Sequence, residues 1–224
     1  MITTDPGTIG ENPAVIVMDP QVDFLEDKVA VDTEISEFAG RINKLVNKAR
    51  ENDIPIFWGK EVHRPDHADY GAEYFMSYGE HTIEDSIGEE YISELDINQN
   101  RLNPSEYIVP KRRFDLFFRT DLNLILNTYE IDTIIICGVT THVCVHYTAH
   151  GGHNRDYVIR VVDECTADRE EWKEIGLKMI EHLQPDSVIK LDETLKSFDQ
   201  YSGNPVVKKV KETGSVFGKE GVQN

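Results

Sequence analysis

Short runs of apolar residues alternate along the chain with longer segments whose apolar residues recur at helical spacing. Turn-forming residues bound each short run, so we predict a buried strand at each one. The six predicted strands are 14–18, 55–58, 107–109, 133–137, 157–162 and 187–191. Strands that alternate with helices are typical of a parallel sheet covered by helices on both faces. The pattern therefore predicts a three-layer α/β domain with a six-stranded, mostly parallel sheet.

Apolar residues at every third or fourth position predict the helices between these strands. The clearest helix spans 35–49, with Thr33 expected as its N-cap. Further helices are predicted over 88–95, 122–129, 141–153 and 172–183. Residues 59–86 have no clean period and contain many aromatic, histidine and acidic residues. Loops of this length within a compact domain are usually functional.

The length of 224 residues favours a single domain. We expect it over 13–201, preceded by a flexible N-terminus over 1–12. Residues 202–224 are polar and have no stable period, so they are predicted to be an extension that docks on a partner or frays.

The charge excludes two classes of partner. The chain has 23 Lys and Arg against 41 Asp and Glu, a formal net charge of −18. No basic surface is therefore expected to release counterions from nucleic acid, and anionic membranes are disfavoured. The apolar runs are much shorter than the ~20 residues of a spanning helix, and the N-terminus does not resemble a secretory signal. We expect a cytoplasmic protein.

The cysteines fit that compartment. There are three, Cys137, Cys144 and Cys165, and no CxxC pair. An odd number without an export signal argues against a disulfide framework and for reduced thiols. Cys137 and Cys165 follow apolar runs and are expected to be buried in the core. Cys144 is left as a candidate nucleophile.

Polar residues follow four of the predicted strands. Asp19 follows the first, Glu61 the second and Lys111 the third, while Cys144 lies just past the fourth, near the start of a helix. Sites in open parallel sheets form at these carboxyl ends. A helix start and a nearby lysine favour a thiolate, and a carboxylate can take a thiol proton and return it to a leaving amine. Each residue alone also has a structural alternative: a turn cap for Asp19, a solvated charge for Lys111 and core packing for Cys144.

Four motifs together resemble one known family. They are DPQVDF at 19–24, EVHRPDHADYG at 61–71, VPKRRFDLFFRTDL at 109–122 and CGVTTHVCVHYTAHGGHNRDYVIRVVDECTA at 137–167. Their order resembles the isochorismatase-like cysteine hydrolase superfamily, which includes nicotinamidases, N-carbamoylsarcosine amidases, and biuret and ureidoacrylate amidohydrolases. The resemblance covers about residues 12–191 and implies a Rossmann-like fold.

The resemblance implies a catalytic role for three of the strand-end residues. Asp19, Lys111 and Cys144 would form a triad in which the cysteine attacks a carbonyl, the aspartate moves the proton and the lysine holds both. It further implies a cis peptide bond between Val139 and Thr140. The backbone N–H groups of Thr140 and Cys144 would then form an oxyanion hole.

The resemblance also suggests substrate contacts. Phe24 and Trp58 are predicted to be pocket walls, with core packing as the alternative for both. His63 and Arg64 are candidates for direct contact with the substrate. Arg112, next to the lysine of the triad, adds positive charge that suits a substrate with a carboxylate or a polar ureide.

A metal site is an alternative to a cofactor-free enzyme. Glu61, His63 and His81 resemble the Asp-x-His and later His with which nicotinamidases hold a divalent metal, and such ligands suit zinc or iron. Glutamate in place of aspartate adds a methylene, which is expected to displace the ligand oxygen. We therefore expect no cofactor, with roles in loop structure or substrate contact for these side chains.

The predicted function is hydrolysis of a C–N bond in a small linear amide or ureide, of the N-carbamoyl or biuret type. It would proceed through a thioester and release ammonia or an amine. A metal-assisted nicotinamidase is the alternative enzyme, and a catalytically idle binding or assembly module on the same fold is the alternative of another class. The resemblance also implies a homodimer or homotetramer.

Overall fold

The computed structural model describes residues 10–27, 31–76, 79–100 and 102–218, and these form strands that alternate with helices. The strands are β1 (Pro13–Met18), β2 (Ile56–Glu61), β3 (Glu106–Lys111), β4 (Thr133–Val139), β5 (Val158–Ala167) and β6 (Val188–Ile189). The helices are α1 (Ile35–Glu51), α2 (Glu73–Met76), α3 (Leu122–Thr128), α4 (His146–His153), α5 (Glu170–Leu183), α6 (Leu191–Phe198) and α7 (Pro205–Thr213). No helix of the described residues is long and apolar enough to cross a membrane.

The six strands form one parallel sheet in the order β3-β2-β1-β4-β5-β6. The predicted α/β fold is confirmed. The chain extends the sheet in one direction from β1 and in the other from β4, so the strand order reverses between these two central strands. Such a reversal opens a crevice at the carboxyl ends of the strands, where α/β proteins bind ligands.

Two hydrophobic clusters lie on opposite faces of the sheet. Val15 and Val17 of β1 belong to one cluster, and Ile16 and Met18 belong to the other. Because neighbouring residues of a strand point to opposite faces, a strand covered on both sides is apolar throughout, as PAVIVM is.

Several predicted bounds were wrong. β5 continues to Ala167 through half-exposed polar residues, whereas β6 has only two residues. The helix predicted over 88–95 is a single 3-10 turn, Ile87–Glu89. α1 begins after Glu34 rather than after Thr33, and Glu34 makes no side-chain capping bond. These ends are set by tertiary contacts, which a local pattern does not contain.

Residues 202–224 were predicted to be an extension, but part of this segment forms a helix that packs on the domain. Asn204 accepts hydrogen bonds from the N–H groups of Val206 and Val207 and so caps α7, which ends at Gly214 in the left-handed conformation. Val207 is buried in the cluster that also contains Ile16. Residues 205–213 are therefore part of the domain, whereas 219–224 lie outside the described residues.

Of the N-terminus predicted to be flexible over 1–12, the structure describes residues 10–12, and residues 1–9 lie outside the described residues. The N–H of Gly10 donates to Thr133 Oγ1 at 3.0 Å, and the N–H of Asn12 donates to Asp132 Oδ2 at 3.2 Å. Residues 10–12 are thus attached to the start of β4.

Gly138 permits close contact between the two central strands. Its φ is +107°, and a Cβ there would lie 2.1 Å from the carbonyl oxygen of Met18.

We expect Gly138→Ala to lower the free energy of unfolding by about 3 kcal/mol, measured by urea denaturation. The control is Gly40→Ala in α1, where an added Cβ meets nothing within 4 Å and helix propensity predicts a gain of up to about 1 kcal/mol. Equal effects of the two substitutions would contradict this account.

Candidate active site

The loop after β1 presents Asp19 at the reversal point. Asp19 has a φ of +45°, and its backbone N–H donates to the carbonyl of Gly59. The Gln21 side-chain amide donates to the carbonyls of Glu61 and Glu89 and accepts from the N–H of Glu61, each at 2.8 Å. Gln21 therefore fixes the end of β1 against the end of β2.

Cys144 lies in a π-helical turn, Thr141–Val145, between β4 and α4. The carbonyl of Thr140 accepts the N–H groups of Val143 and Val145 at 3.2 Å, and the Val139–Thr140 bond is cis. On the outer side, a Cβ on Gly176 of α5 would lie 2.9 Å from the Cα of His142. Close backbone packing by α5 thus supports the turn that carries the cysteine.

Four buried groups meet at the carboxyl end of the sheet. Lys111 Nζ lies 2.9 Å from Asp19 Oδ2 and 3.5 Å from Cys144 Sγ, and it donates to Glu61 Oε2. Cys144 Sγ is 3.9 Å from the same Glu61 oxygen. The structure thus brings Asp19, Lys111 and Cys144 together, with Glu61 as a fourth member.

Burial and charge shift the pKa values of this cluster. Burial raises the pKa of Asp19 to about 6, although Lys111 opposes the shift. The carboxylates of Asp19 and Glu61 hold the pKa of Lys111 well above its usual range, although burial acts in the opposite direction. Lys111 in turn holds the pKa of Glu61 well below its usual range. Burial also raises the pKa of the Cys144 thiol well above its usual value, with Lys111 opposing. The direction of this shift favours the protonated thiol over the thiolate that the helix start and the nearby lysine led us to expect.

A small cavity of about 10 Å³ lies beside the thiol. Its lining residues are Phe24, Glu61, Phe114, Val139, Thr140, Val143 and Cys144. Phe24 is thus on the wall, as predicted. Trp58 is not, because it is fully buried in the core and its indole N–H donates to Glu106 Oε2 at 3.2 Å. The prediction of Trp58 as a pocket wall is corrected to its alternative, core packing.

The other predicted substrate contacts lie away from the cavity lining. His63 is fully buried and stacks on Tyr70, with ring centroids 3.8 Å apart. Arg64 is exposed beside Asp66. The Arg112 guanidinium donates to the carbonyl of Val62 and pairs with Glu84 at 2.7 Å. None of these three side chains is among the described residues that line the cavity, and their contacts with substrate stay predictions.

A second buried cluster adjoins the first through Glu61. Atoms of Glu61, His63, Glu73 and His81 that can bind a metal all lie within 4.8 Å of one another. Glu61 Oε1 is 2.9 Å from His81 Nε2 and 3.6 Å from His63 Nε2. The longer glutamate side chain therefore does not displace its oxygen from the histidines, contrary to our expectation.

The donor set of this second cluster fits a divalent metal ion. His63 Nδ1 contacts Asp69 and His81 Nδ1 contacts the carbonyl of Gly79, so both Nε2 atoms are left to face the cluster. His63 Nε2 and Glu73 Oε1 are buried and have no hydrogen-bond partner in the described part of the chain. Two imidazoles and two carboxylates suit zinc, iron or manganese.

Three features of this site were not predicted from the sequence. Glu61 was placed at the end of its strand and weighed as a metal ligand, but its contact with Lys111 was not expected. Glu73 was not singled out, because an isolated glutamate in an acidic segment without a period carries no signal. Phe114 on the cavity wall was also missed, although this residue lies within the quoted motif at 109–122.

Fold and site together define an α/β protein with a buried cysteine, lysine and two carboxylates at the reversal point of its sheet. The sequence profile of the isochorismatase domain matches residues 13–188. The chain therefore belongs to the isochorismatase family of hydrolases, and the resemblance inferred from the motifs is confirmed.

The similar proteins span several described activities. A probable inactive nicotinamidase of Arabidopsis thaliana is 27% identical over 164 residues, covering 70% of this chain and 81% of that protein. N-carbamoylsarcosine amidase of an Arthrobacter species is 25% identical over 167 residues, covering 70% of this chain and 62% of that protein. The structure of an isochorismatase-like hydrolase from Alkaliphilus metalliredigens is 27% identical, with a TM-score of 0.70 over 84% of this chain and 99% of that one.

Proposed function

We propose that this protein is a cysteine amidohydrolase that cleaves a C–N bond of a small linear amide or ureide through a thioester. The observation that carries the proposal is the contact of Lys111 Nζ with both Asp19 and Cys144 Sγ, at 2.9 Å and 3.5 Å, next to a small cavity. An N-carbamoylsarcosine amidase among the relatives supports the C–N specificity.

The first half-reaction transfers one proton and forms one bond. Asp19 accepts the thiol proton while Cys144 Sγ attacks the substrate carbonyl, which gives a tetrahedral oxyanion. The backbone N–H groups of Thr140 and Cys144 are proposed to stabilise that oxyanion. Asp19 then returns the proton to the departing nitrogen, the C–N bond breaks, and a thioester remains on Cys144.

The second half-reaction uses the same groups with water as the nucleophile. Asp19 takes a proton from the water that attacks the thioester, and this proton passes to the sulfur as the C–S bond breaks. Asp19 is suited to both directions because burial raises its pKa to about 6, close to neutral pH, so it can both accept and return a proton. Lys111 stabilises the negative charge on Asp19 and on the departing sulfur.

The raised pKa of Asp19 predicts the acid limb of the pH profile. A carboxyl group acts as a base only when ionised, so we expect kcat/KM for ammonia release to fall about tenfold per pH unit below about pH 6. Because burial raises the pKa of the Cys144 thiol, no second rise is expected between pH 7 and 8.5. A rate that instead increases through pH 8–9 would indicate a mechanism controlled by thiolate formation.

A screen for ammonia release tests the proposed function. The substrates are simple aliphatic amides, biuret, N-carbamoyl amino acids, ureidoacrylate and nicotinamide. We expect turnover of at least one linear amide or ureide, together with a covalent acyl adduct on Cys144 in acid-quenched samples. Absence of both turnover and adduct would support the catalytically idle binding module. The predicted homo-oligomer is checked by light scattering on the same preparation.

A metal-assisted nicotinamidase is the second candidate, favoured by His63 Nε2 and Glu73 Oε1, which are buried and make no hydrogen bond within the described residues. Glu61, His63, Glu73 and His81 would hold the cation, which would act as a Lewis acid beside the substrate. Elemental analysis of purified protein is then expected to give one zinc, iron or manganese per chain, and Glu73→Gln is expected to lower that occupancy. Protein without stoichiometric metal that still cleaves linear amides would eliminate this candidate.

A further inference from the structure

The charges around the cavity define which substrates the proposed amidohydrolase takes. Among the described residues that line the cavity there is no arginine or lysine, and the one ionised group is Glu61. The remaining wall is apolar, formed by Phe24, Phe114, Val139 and Val143, apart from Thr140 and the thiol itself. This lining offers a carboxylate no counter-charge.

Lys111 is the basic group that contacts the thiol, and its charge is already matched. It lies between Asp19 Oδ2 at 2.9 Å and Glu61 Oε2, and its side chain is fully buried. Asp19 and Glu61 together exceed it by one negative charge. His81, which contacts Glu61 Oε1 at 2.9 Å, also faces the carboxylate of Glu73 at 3.7 Å, so a proton on His81 is matched by Glu73. An anionic substrate would therefore enter a buried site that is already negative, and burying an unpaired charge is strongly unfavourable.

The arginines that follow Lys111 do not change this balance. Arg112 pairs with Glu84 and with Asp69 Oδ2 at 3.4 Å, and Arg113 donates to the carbonyls of Asp69 and Arg112. Their guanidinium groups are used to fix the 59–86 segment. The positive charge that the sequence places beside the lysine is thus directed away from the thiol.

A metal ion in the second cluster would leave the conclusion unchanged. Glu61 and Glu73 would cancel the charge of a divalent cation, and Asp19 and Lys111 would cancel each other. With or without the ion, the site has no net positive charge for an anion.

We propose that this cavity selects uncharged substrates, namely small carboxamides or ureides with no carboxylate near the bond that is cleaved. The inference rests on the proposed function and narrows it, since it excludes N-carbamoyl amino acids and other acidic amides. The cavity of about 10 Å³ has room for roughly one water molecule, so the substrate is also small.

Alkylation of Cys144 tests the inference without relying on turnover. Iodoacetamide and iodoacetate have nearly the same size and react with a thiol in the same way, but only the second is an anion. Rates at Cys144 are measured by peptide mass spectrometry at pH 7.5, and the rate ratio is divided by that for 2-mercaptoethanol. Because protonation of the thiol affects both reagents equally, it cancels in this ratio.

The expected result is a preference for iodoacetamide about 100-fold above the reference ratio. This is the size of a like-charge repulsion at about 6 Å in an effective dielectric of about 20. A ratio equal to or below the reference would overturn the inference. Failure of both reagents to reach Cys144 would also contradict it, because the inference requires a cavity open to small amides.

A variant that adds a positive charge to the cavity wall, and a matched uncharged control, test the role of charge directly. Phe114→Arg places a cation on the lining and is expected to lower the preference for iodoacetamide at least tenfold. Phe114→Met keeps the wall uncharged and is expected to retain it within about threefold. An equal loss in both variants would show that the shape of the wall, and not its charge, decides the selection.

Turnover of a matched pair separates this inference from the proposed function. Succinamide and succinamate differ by one amide in place of one carboxylate. Selective alkylation without hydrolysis of either compound would contradict the proposed function and leave the charge selection standing. Equal hydrolysis of both would confirm an amidohydrolase and overturn the selection of uncharged substrates.

Discussion

Replacement of Cys144 by alanine is expected to abolish ammonia release, with a loss of at least about 10⁴-fold in kcat. The physical reason is that in the proposed mechanism sulfur forms the covalent bond to the substrate carbonyl, and Cys144 is the thiol that contacts Lys111 among the described residues. The folded structure should persist, because the substitution removes a single buried sulfur atom and stability should fall by only about 1 kcal/mol. Activity is measured by coupled ammonia detection and folding by circular dichroism.

The matched control for this variant is Cys165→Ala. Cys165 is also fully buried but lies in the core cluster on one face of the sheet, away from the lining of the cavity. We expect it to lose a similar amount of stability and to keep most of the activity. A Cys144→Ala protein with more than a tenth of the original kcat would refute the thioester mechanism.

Replacement of Lys111 by methionine is expected to have the largest effect on stability. The ammonium group is the contact that compensates two buried carboxylates, Asp19 and Glu61, and its removal leaves them facing each other. Removing one partner of a buried ion pair costs about 3–5 kcal/mol, so the urea midpoint should fall accordingly. Activity should also be lost, because nothing then stabilises the charge on Asp19 and sulfur.

Two further variants separate charge from packing in this result. Lys111→Met combined with Glu61→Gln removes one of the two unpaired carboxylates, so it should recover part of the stability and none of the activity. Lys178→Met breaks an exposed pair with Glu174 and should change stability by less than about 1 kcal/mol. If the single and the double variant at Lys111 were equally unstable, packing rather than charge would account for the loss.

Much of the fold was predictable from local pattern alone. The apolar runs that became β1 and β4 are buried on both faces, and their alternation with helical segments admits few topologies other than a parallel sheet. Segments without a period were predicted poorly, since the ends of β5 and the 3-10 turn at Ile87–Glu89 depend on contacts with distant residues. α7 was missed because only Val207 of its residues is buried.

In the candidate site, the positions of the residues were predictable from the sequence, but the directions of their side chains were not. Asp19, Lys111 and Cys144 each follow or end a strand, and the carboxyl ends of parallel strands meet at one edge, so sequence order placed them on that edge and the family resemblance grouped them. The direction of a long side chain is not encoded by its position. Arg112 follows Lys111 in the chain, yet it points to Glu84, whereas Lys111 is buried between two carboxylates.

The sequence by itself determined the family through its four motifs, and the alternation of strands with helices through its hydrophobic period, because both are properties of the linear chain. Only the tertiary structure decided how the charges at the carboxyl edge of the sheet are distributed. It joined Glu61 to Lys111, gathered Glu73 with two histidines and turned the arginines away from the thiol. Such contacts join residues distant in the chain, and they form only when the sheet edge and the 59–86 segment pack against each other.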